Sequence, residues 1–136
     1  MFFHSLSILP AAQLRGTLVA PLARLAVLPR VALQWQRVPV SGLVQTSEEA
    51  EESGGVRLVT VKLQCRLRCP WARPAEPAAL LLTTTGGRRL LLGLDRPPHP
   101  LLSLQLTAPA TPGGESALTL TAEYKGPYPL LPVYDL

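Results

Sequence analysis

Between Val56 and Cys69 the residue type changes at almost every step: Val59, Val61, Leu63, Cys65, Leu67 and Cys69 alternate with Thr60, Lys62, Gln64, Arg66 and Arg68. Only a β-strand, whose successive side chains point to opposite faces, sorts such a run into one dry side and one wet or charged side. A helix would scatter the same residues around its surface. This stretch therefore commits the chain to β structure with one face on a core.

The rest of the chain agrees with that class. Its 136 residues fit one domain, residues 1–136, with enough length to bury a substantial core. Fifteen prolines and ten glycines fall mainly between apolar runs. Each internal proline would cost a helix about 3 kcal/mol, so a helix bundle is a poor solution. Hydrophobic residues make up 47% of the chain and aromatics only 5%, so the core must be built from Leu, Val and Ala. The expected architecture is all-β, an antiparallel sandwich or flattened barrel of about seven or eight strands, with a long hairpin and an irregular, proline-rich C-terminal tail.

Along the chain, Phe2 to Leu9 reads as a first strand ended by Pro10. Residues 11–29 carry both a helical spacing of leucines and the breakers Gly16 and Pro21, which favours extended structure. Two long strands, about 31–44 and 56–69, are expected to flank an acidic hairpin tip at 45–55 that ends in Ser-Gly-Gly. Gly86-Gly87 between two leucine-rich runs, Ala79–Thr85 and Arg88–Leu94, is the strongest hairpin signal. Leu101–Ala108 and Ser116–Tyr124, separated by Pro112-Gly113-Gly114, form a third β–β connection. Residues 125–136 hold three prolines and two tyrosines and read as a C-terminal arm, packed on its own domain or lying on a neighbour.

Charge excludes more than it assigns. The net charge is +4, yet four of the nine acidic residues, Glu48, Glu49, Glu51 and Glu52, lie in one short segment, so the remainder is distinctly basic. Basic character alone suits solubility as well as nucleic acid, and the expected strands present Thr, Gln, Arg and Ser rather than aromatic platforms for bases, so nucleic acid is not the expected partner. Residues 1–47 contain no Asp or Glu but do contain Arg15, Arg24, Arg30 and Arg37, the composition of a transit peptide. They are nonetheless read as part of the mature chain. No apolar stretch reaches the ~20 residues of a membrane helix without meeting Arg or Pro, and no membrane association is expected.

Catalytic and metal chemistry find little support. The only histidines are His4 and His99, and no nucleophile motif surrounds Cys65 or Ser103, either of which would need His99 as its base. Cys65 and Cys69 on one strand face stand roughly 13 Å apart at about 3.3 Å per residue, too far for a disulfide, and their spacing lacks a second ligand pair for zinc. Gly86-Gly87-Arg88-Arg89 lacks the Lys and Ser/Thr of a phosphate-binding loop. The expectation is no catalytic residue, no metal and no cofactor.

The order of parts from residue 56 to 132 resembles small β-rich proteins encoded among phage and prophage structural genes. The resemblance rests on the long alternating strand, the run Leu-Leu-Thr-Thr-Thr-Gly-Gly-Arg-Arg-Leu-Leu-Leu-Gly-Leu-Asp-Arg-Pro-Pro with Leu92, Gly93 and Pro97, and the closing strand before Gly-Pro-Tyr-Pro-Leu-Leu. It is a pattern of turns, and the chain departs from it by its richness in Leu, Arg and Pro. The resemblance implies a non-enzymatic structural subunit of a phage particle or tail-like assembly, found in the virion or in the cytoplasm of a bacterial host. Its partners would be copies of itself or other structural subunits. The contact residues expected from the sequence are Tyr124 at the end of the last strand and Tyr128 and Tyr134 on the tail, with Arg88, Arg89, Glu48, Glu49, Glu51 and Glu52 as charged rims. A small apolar-ligand or lipid-binding β-barrel, with Leu80–Leu82 and Leu90–Leu92 lining a cavity, is the alternative.

Overall fold

Alternation in the sequence becomes a two-layer sandwich in the computed structural model, which describes residues 2–14, 18–20, 25–28, 33–94, 98–107 and 117–135. The strands are β1 (Phe2–Phe3), β2 (Ser5–Pro10), β3 (Leu18–Ala20), β4 (Leu25–Leu28), β5 (Gln36–Arg37) and β6 (Val40–Ser53), followed by β7 (Val56–Leu67), β8 (Ala78–Thr83), β9 (Arg89–Leu92), β10 (Leu101–Thr107), β11 (Ala117–Gly126) and β12 (Leu131–Asp135). A first sheet has the order β1-β6-β7-β11-β10, and a second has the order β3-β4-β12-β9-β8-β2-β5. All pairings are antiparallel except β12 with β4. The sheets face each other as a sandwich and do not close into a barrel. The only regular non-strand segment among the described residues is a 3-10 turn at Ala11–Leu14.

The inner faces meet in one core. From the first sheet come Phe3, Val44, Val59, Val61, Leu63, Cys65, Leu120, Ala122 and Tyr124, and from the second come Leu6, Ile8, Leu80, Leu82, Leu90 and Leu92. Each fully buried leucine stabilises the fold by about 1.5–3 kcal/mol relative to an exposed one. The leucine runs need a further explanation, since Leu81 and Leu91 lie between inward-facing residues and are buried too. They point to the other side of the second sheet, where Leu9, Leu14, Ala79, Leu94, Leu131 and Val133 form a second apolar cluster joined by Leu33, Trp35 and Tyr128. β8 and β9 are thus covered on both faces, which is why their sequences are continuously apolar instead of alternating. Leu80–Leu82 and Leu90–Leu92 are taken up by these two clusters, so the cavity that the ligand-barrel alternative required of them is filled by their own packing.

One side of the sandwich is stitched by the chain itself. β1 belongs to the first sheet and β2 to the second, and the switch occurs at His4, whose backbone N–H and ring nitrogen both reach the Thr83 carbonyl, at 2.9 and 3.2 Å. A second crossing runs from β5 to β6 through Val38 and Pro39. There the Val38 N–H donates to the Leu6 carbonyl of the second sheet, and the Arg68 N–H, just past the end of β7 in the first sheet, donates to the Pro39 carbonyl.

Three expectations need correction. The segment expected as an acidic tip at 45–55 is mostly strand: β6 runs to Ser53 in register with β7, from Gln45↔Gln64 to Ser53↔Val56, and only Gly54 and Gly55 turn. Both glycines have positive φ, 60° and 82°, which a two-residue hairpin turn demands. The strand expected at 31–44 is instead a short β5 and the start of β6, with Gly42 at φ 81° inside a register shift between Ser41 and Gln45; Val31 and Ala32 lie outside the described residues. Finally, the tail is not irregular throughout, because Leu131–Asp135 forms β12 between β9 and β4. Its prolines are accommodated by placement. Pro132 pairs Leu90 in the last rung between β12 and β9, and the ladder then passes to β4 from Val133 onward, so the missing proline N–H falls where the strand changes partners. The twelve short and long strands exceed the expected seven or eight for the same reason.

Candidate functional site: the bare face and edges of the five-stranded sheet

The first sheet differs from the second in carrying no outer layer among the described residues. Its outward side chains form rows across the strands. One row is Gln45, Gln64, Thr121 and Ser103, and the next is Ser47, Lys62, Glu123 and Leu101. The Ser103 and Thr121 hydroxyls bond directly across β10 and β11. Lys62 stands opposite Glu123, whose Oε1 also lies 3.5 Å from the Lys125 Nζ. Exposed pairs of this kind contribute at most about 1 kcal/mol, so they order the face more than they stabilise it. A shallow groove of about 400 Å³ runs over these rows. Its lining mixes the amides, hydroxyls and charges of these rows with Leu63, Leu101, Leu102 and Ala122, and contains no aromatic ring.

The two edges of this sheet are unlike. On β6, β1 pairs only Val44 and Gln45, and no described strand pairs Ser47–Ser53 along that side. Glu48, Glu49, Glu51 and Glu52 all sit on this open stretch and are exposed. Because strand residues alternate, Glu48 and Glu52 share a face with the buried Val61 and with Arg57, while Glu49 and Glu51 share the outer face with Thr60 and Leu58. Charge on both faces of an open edge repels a second strand of the same kind. The opposite edge, β10, has the sequence Leu-Leu-Ser-Leu-Gln-Leu-Thr and no charge at all. Leu101 is 76% exposed and Leu106 is 69% exposed, whereas Leu102 and Leu104 pack partly onto the core.

The residues expected as contacts from the sequence are not brought together. Tyr124 is only 3% exposed and belongs to the core, so it is not available as a contact. Its phenol is held above the usual tyrosine range, first by burial and then by the nearby Tyr128, against a hydrogen bond from the Tyr128 backbone that acts in the other direction. Tyr128 packs against the second apolar cluster. Tyr134 contributes its backbone to β12 opposite Val27, and its side chain lies outside the described residues. Arg88 and Arg89 stand at the β8–β9 turn of the second sheet, where Thr84 bonds Arg88 through both backbone and hydroxyl. The acidic residues are on the first sheet. The Leu101 and Leu106 edge was missed; its signal is a seven-residue strand with leucine on both faces and no charge.

The groups weighed for catalysis are separated as well. Cys65 faces the core, and burial pushes its thiol up to about 11, away from the thiolate form a nucleophile needs. Ser103 is on the opposite, outer face and is already bonded to Thr121. His99 has its Nδ1 enclosed without a hydrogen-bond partner among the described residues. Cys65 and Cys69 are free thiols. Among the described residues no group of three or more His, Cys, Asp or Glu is placed to hold a metal ion, and no helix is long and apolar enough to cross a membrane.

The class that the geometry defines is an all-β sandwich in which, among the described residues, one sheet is covered on both faces and the other on one. No protein-family model, curated protein or solved structure matches the chain.

Proposed function

We propose that this chain is a non-enzymatic structural subunit that works through protein–protein contacts, in a phage particle or a related tail-like assembly, in the virion or in the cytoplasm of a bacterial host during assembly. The observation that carries the reading is the asymmetry of the sandwich. The second sheet receives its own outer layer, from Leu14, Trp35 and their neighbours, while among the described residues nothing covers the largely polar outer face of the first sheet or pairs its two edges. Open edges recruit strands through unpaired backbone groups, and a broad polar face without an aromatic-lined cleft suits a protein neighbour better than a small molecule. With Tyr124 in the core and Tyr128 packed on the second cluster, this sheet supports the contact reading better than the tyrosines do.

The test is the mass of the native particle by light scattering and native mass spectrometry, with electron microscopy for symmetry. The expected result is a multiple of the 14.7 kDa chain mass, or a complex with other structural subunits when purified from its source. A particle of 14.7 kDa at every concentration, alone and in extracts, would overturn the reading.

A further inference from the structure

We infer that β10 is a self-association edge, at which two copies of this chain pair antiparallel and join their five-stranded sheets into one of ten strands; this rests on the assembly reading above and names its contact. Three observations converge on it. First, the sheet guards only one of its edges. Four carboxylates occupy the open stretch of β6, whereas β10 has no charge, no proline and no register shift in its pairing with β11. An uncharged, regular edge strand is the template that soluble proteins ordinarily blunt.

Second, no described strand pairs the outer side of β10 where pairing needs it. The Arg73 guanidinium donates to the Leu102 carbonyl at 2.7 Å. That carbonyl therefore points away from β11, and because ladder groups alternate, the peptide groups of Leu104 and Leu106 point outward with it. Arg73 occupies the Leu102 position, so the open stretch is Leu104–Thr107.

Third, that stretch is self-complementary about Gln105. In an antiparallel pair centred there, Leu104 of each copy stands opposite Leu106 of the other, and Ser103 stands opposite Thr107. Both leucine pairs fall on the inner face, continuing the strip in which Leu102 and Leu104 already pack on the core. This covers Leu106, which in the single chain stays 69% exposed beside Leu118 of β11. The polar residues, Gln105 among them, remain on the outer face. The arrangement is isologous and closed by a two-fold axis, so it stops at a dimer at this edge. A like pairing of two β6 edges would set carboxylates against carboxylates.

The register can be read directly by cross-linking. Gln105 from the two copies forms a non-hydrogen-bonded pair with Cα atoms about 4.5 Å apart, inside the disulfide range. In a Cys69→Ser background, Gln105→Cys should give a disulfide-linked dimer under mild oxidation. Leu101→Cys, displaced by four residues on each strand, should not. In parallel, Leu106→Lys should convert the wild-type dimer to monomer in light scattering while leaving the circular dichroism and the unfolding midpoint close to wild type, since Leu106 is exposed in the single chain. Should that variant fail to fold, Gln105→Lys, on the exposed outer face, provides the same test. A wild-type protein that is monomeric at all concentrations and in extracts overturns both this edge and the assembly reading. An oligomer that Leu106→Lys and Gln105→Lys leave intact, with no Gln105→Cys cross-link, overturns the edge alone.

Discussion

Gly126 is a glycine because Tyr124 lies over it. A β-carbon built at residue 126 would fall 2.5 Å from the Tyr124 Oη, 2.7 Å from its Cζ and 2.6 Å from the Pro98 Cγ. Comfortable carbon contacts are about 3.5–4 Å, so the ring or the proline must retreat by about an ångström. Neither is a flexible chain end: the tyrosine is enclosed in the core, and the proline ring is rigid. If the ring shifts within the core, overpacking costs about 1–3 kcal/mol; if it is expelled, the cavity left by a large aromatic costs about 3–5 kcal/mol. Gly126→Ala is therefore expected to destabilise by about 2–4 kcal/mol, or on the order of 10 °C in melting temperature for a chain of this size. Urea titration followed by circular dichroism measures it. The mechanism is isolated by repeating the substitution in a Tyr124→Ala background, where two of the three close atoms are gone and the added methyl should cost far less. Equal cost in the two backgrounds, or a Gly126→Ala protein within about 0.5 kcal/mol of wild type, an ordinary surface-substitution effect, would refute the placement of this ring.

Other outcomes follow from the same architecture. Burial holds the Cys65 thiol of the folded chain up to about 11, above the ordinary thiol value of 9.0, so the unfolded chain loses that proton first. Stability from this group is complete below pH 9 and is lost as pH rises toward 11, with buried Tyr124 acting in the same direction above 10; chemical denaturation across that range should show the decline, reduced in Cys65→Ala. At neutral pH a thiol reagent should modify Cys69 in the native protein and reach Cys65 only on unfolding. Deleting residues 126–136 removes β12, including buried Leu131 and Val133 worth about 1.5–3 kcal/mol each, and detaches β4 from the second sheet; the truncated chain should lose cooperative unfolding, and a stable truncated monomer would contradict the placement of β12. Replacing Glu48, Glu49, Glu51 and Glu52 together by Gln should raise concentration-dependent aggregation, measured by turbidity, because the open β6 edge loses its repulsion.

Much of the fold was legible because its long strands alternate. The run from Val56 predicted β7 and its inward residues as far as Leu67, though not Cys69, which lies beyond the strand and is exposed; the Gly86-Gly87 signal predicted the β8–β9 hairpin, and Leu101–Ala108 with Ser116–Tyr124 predicted the β10–β11 pair. What failed had a physical cause in each case. Four glutamates and a Ser-Gly-Gly sequence argue for a loop, but pairing with the strongly β-prone Val56–Val61 overrides their own low propensity. Three prolines argue against a strand, but Pro132 stands where β12 exchanges one neighbour for another. The tyrosines looked like contact residues because composition cannot tell a ring that faces a core from one that faces water. The candidate site was least legible of all, since an open edge is defined by which strands do not pair with it, and that is a property of the whole topology.

Amide hydrogen exchange reads the proposed β10 edge directly. Comparing dilute with concentrated protein, the outward N–H groups of Leu104 and Leu106 should become protected as the molecules associate, while the exposed turn at Gly54 and Gly55 should exchange equally fast in both. Exchange at Leu104 and Leu106 that stays fast and independent of concentration would contradict it.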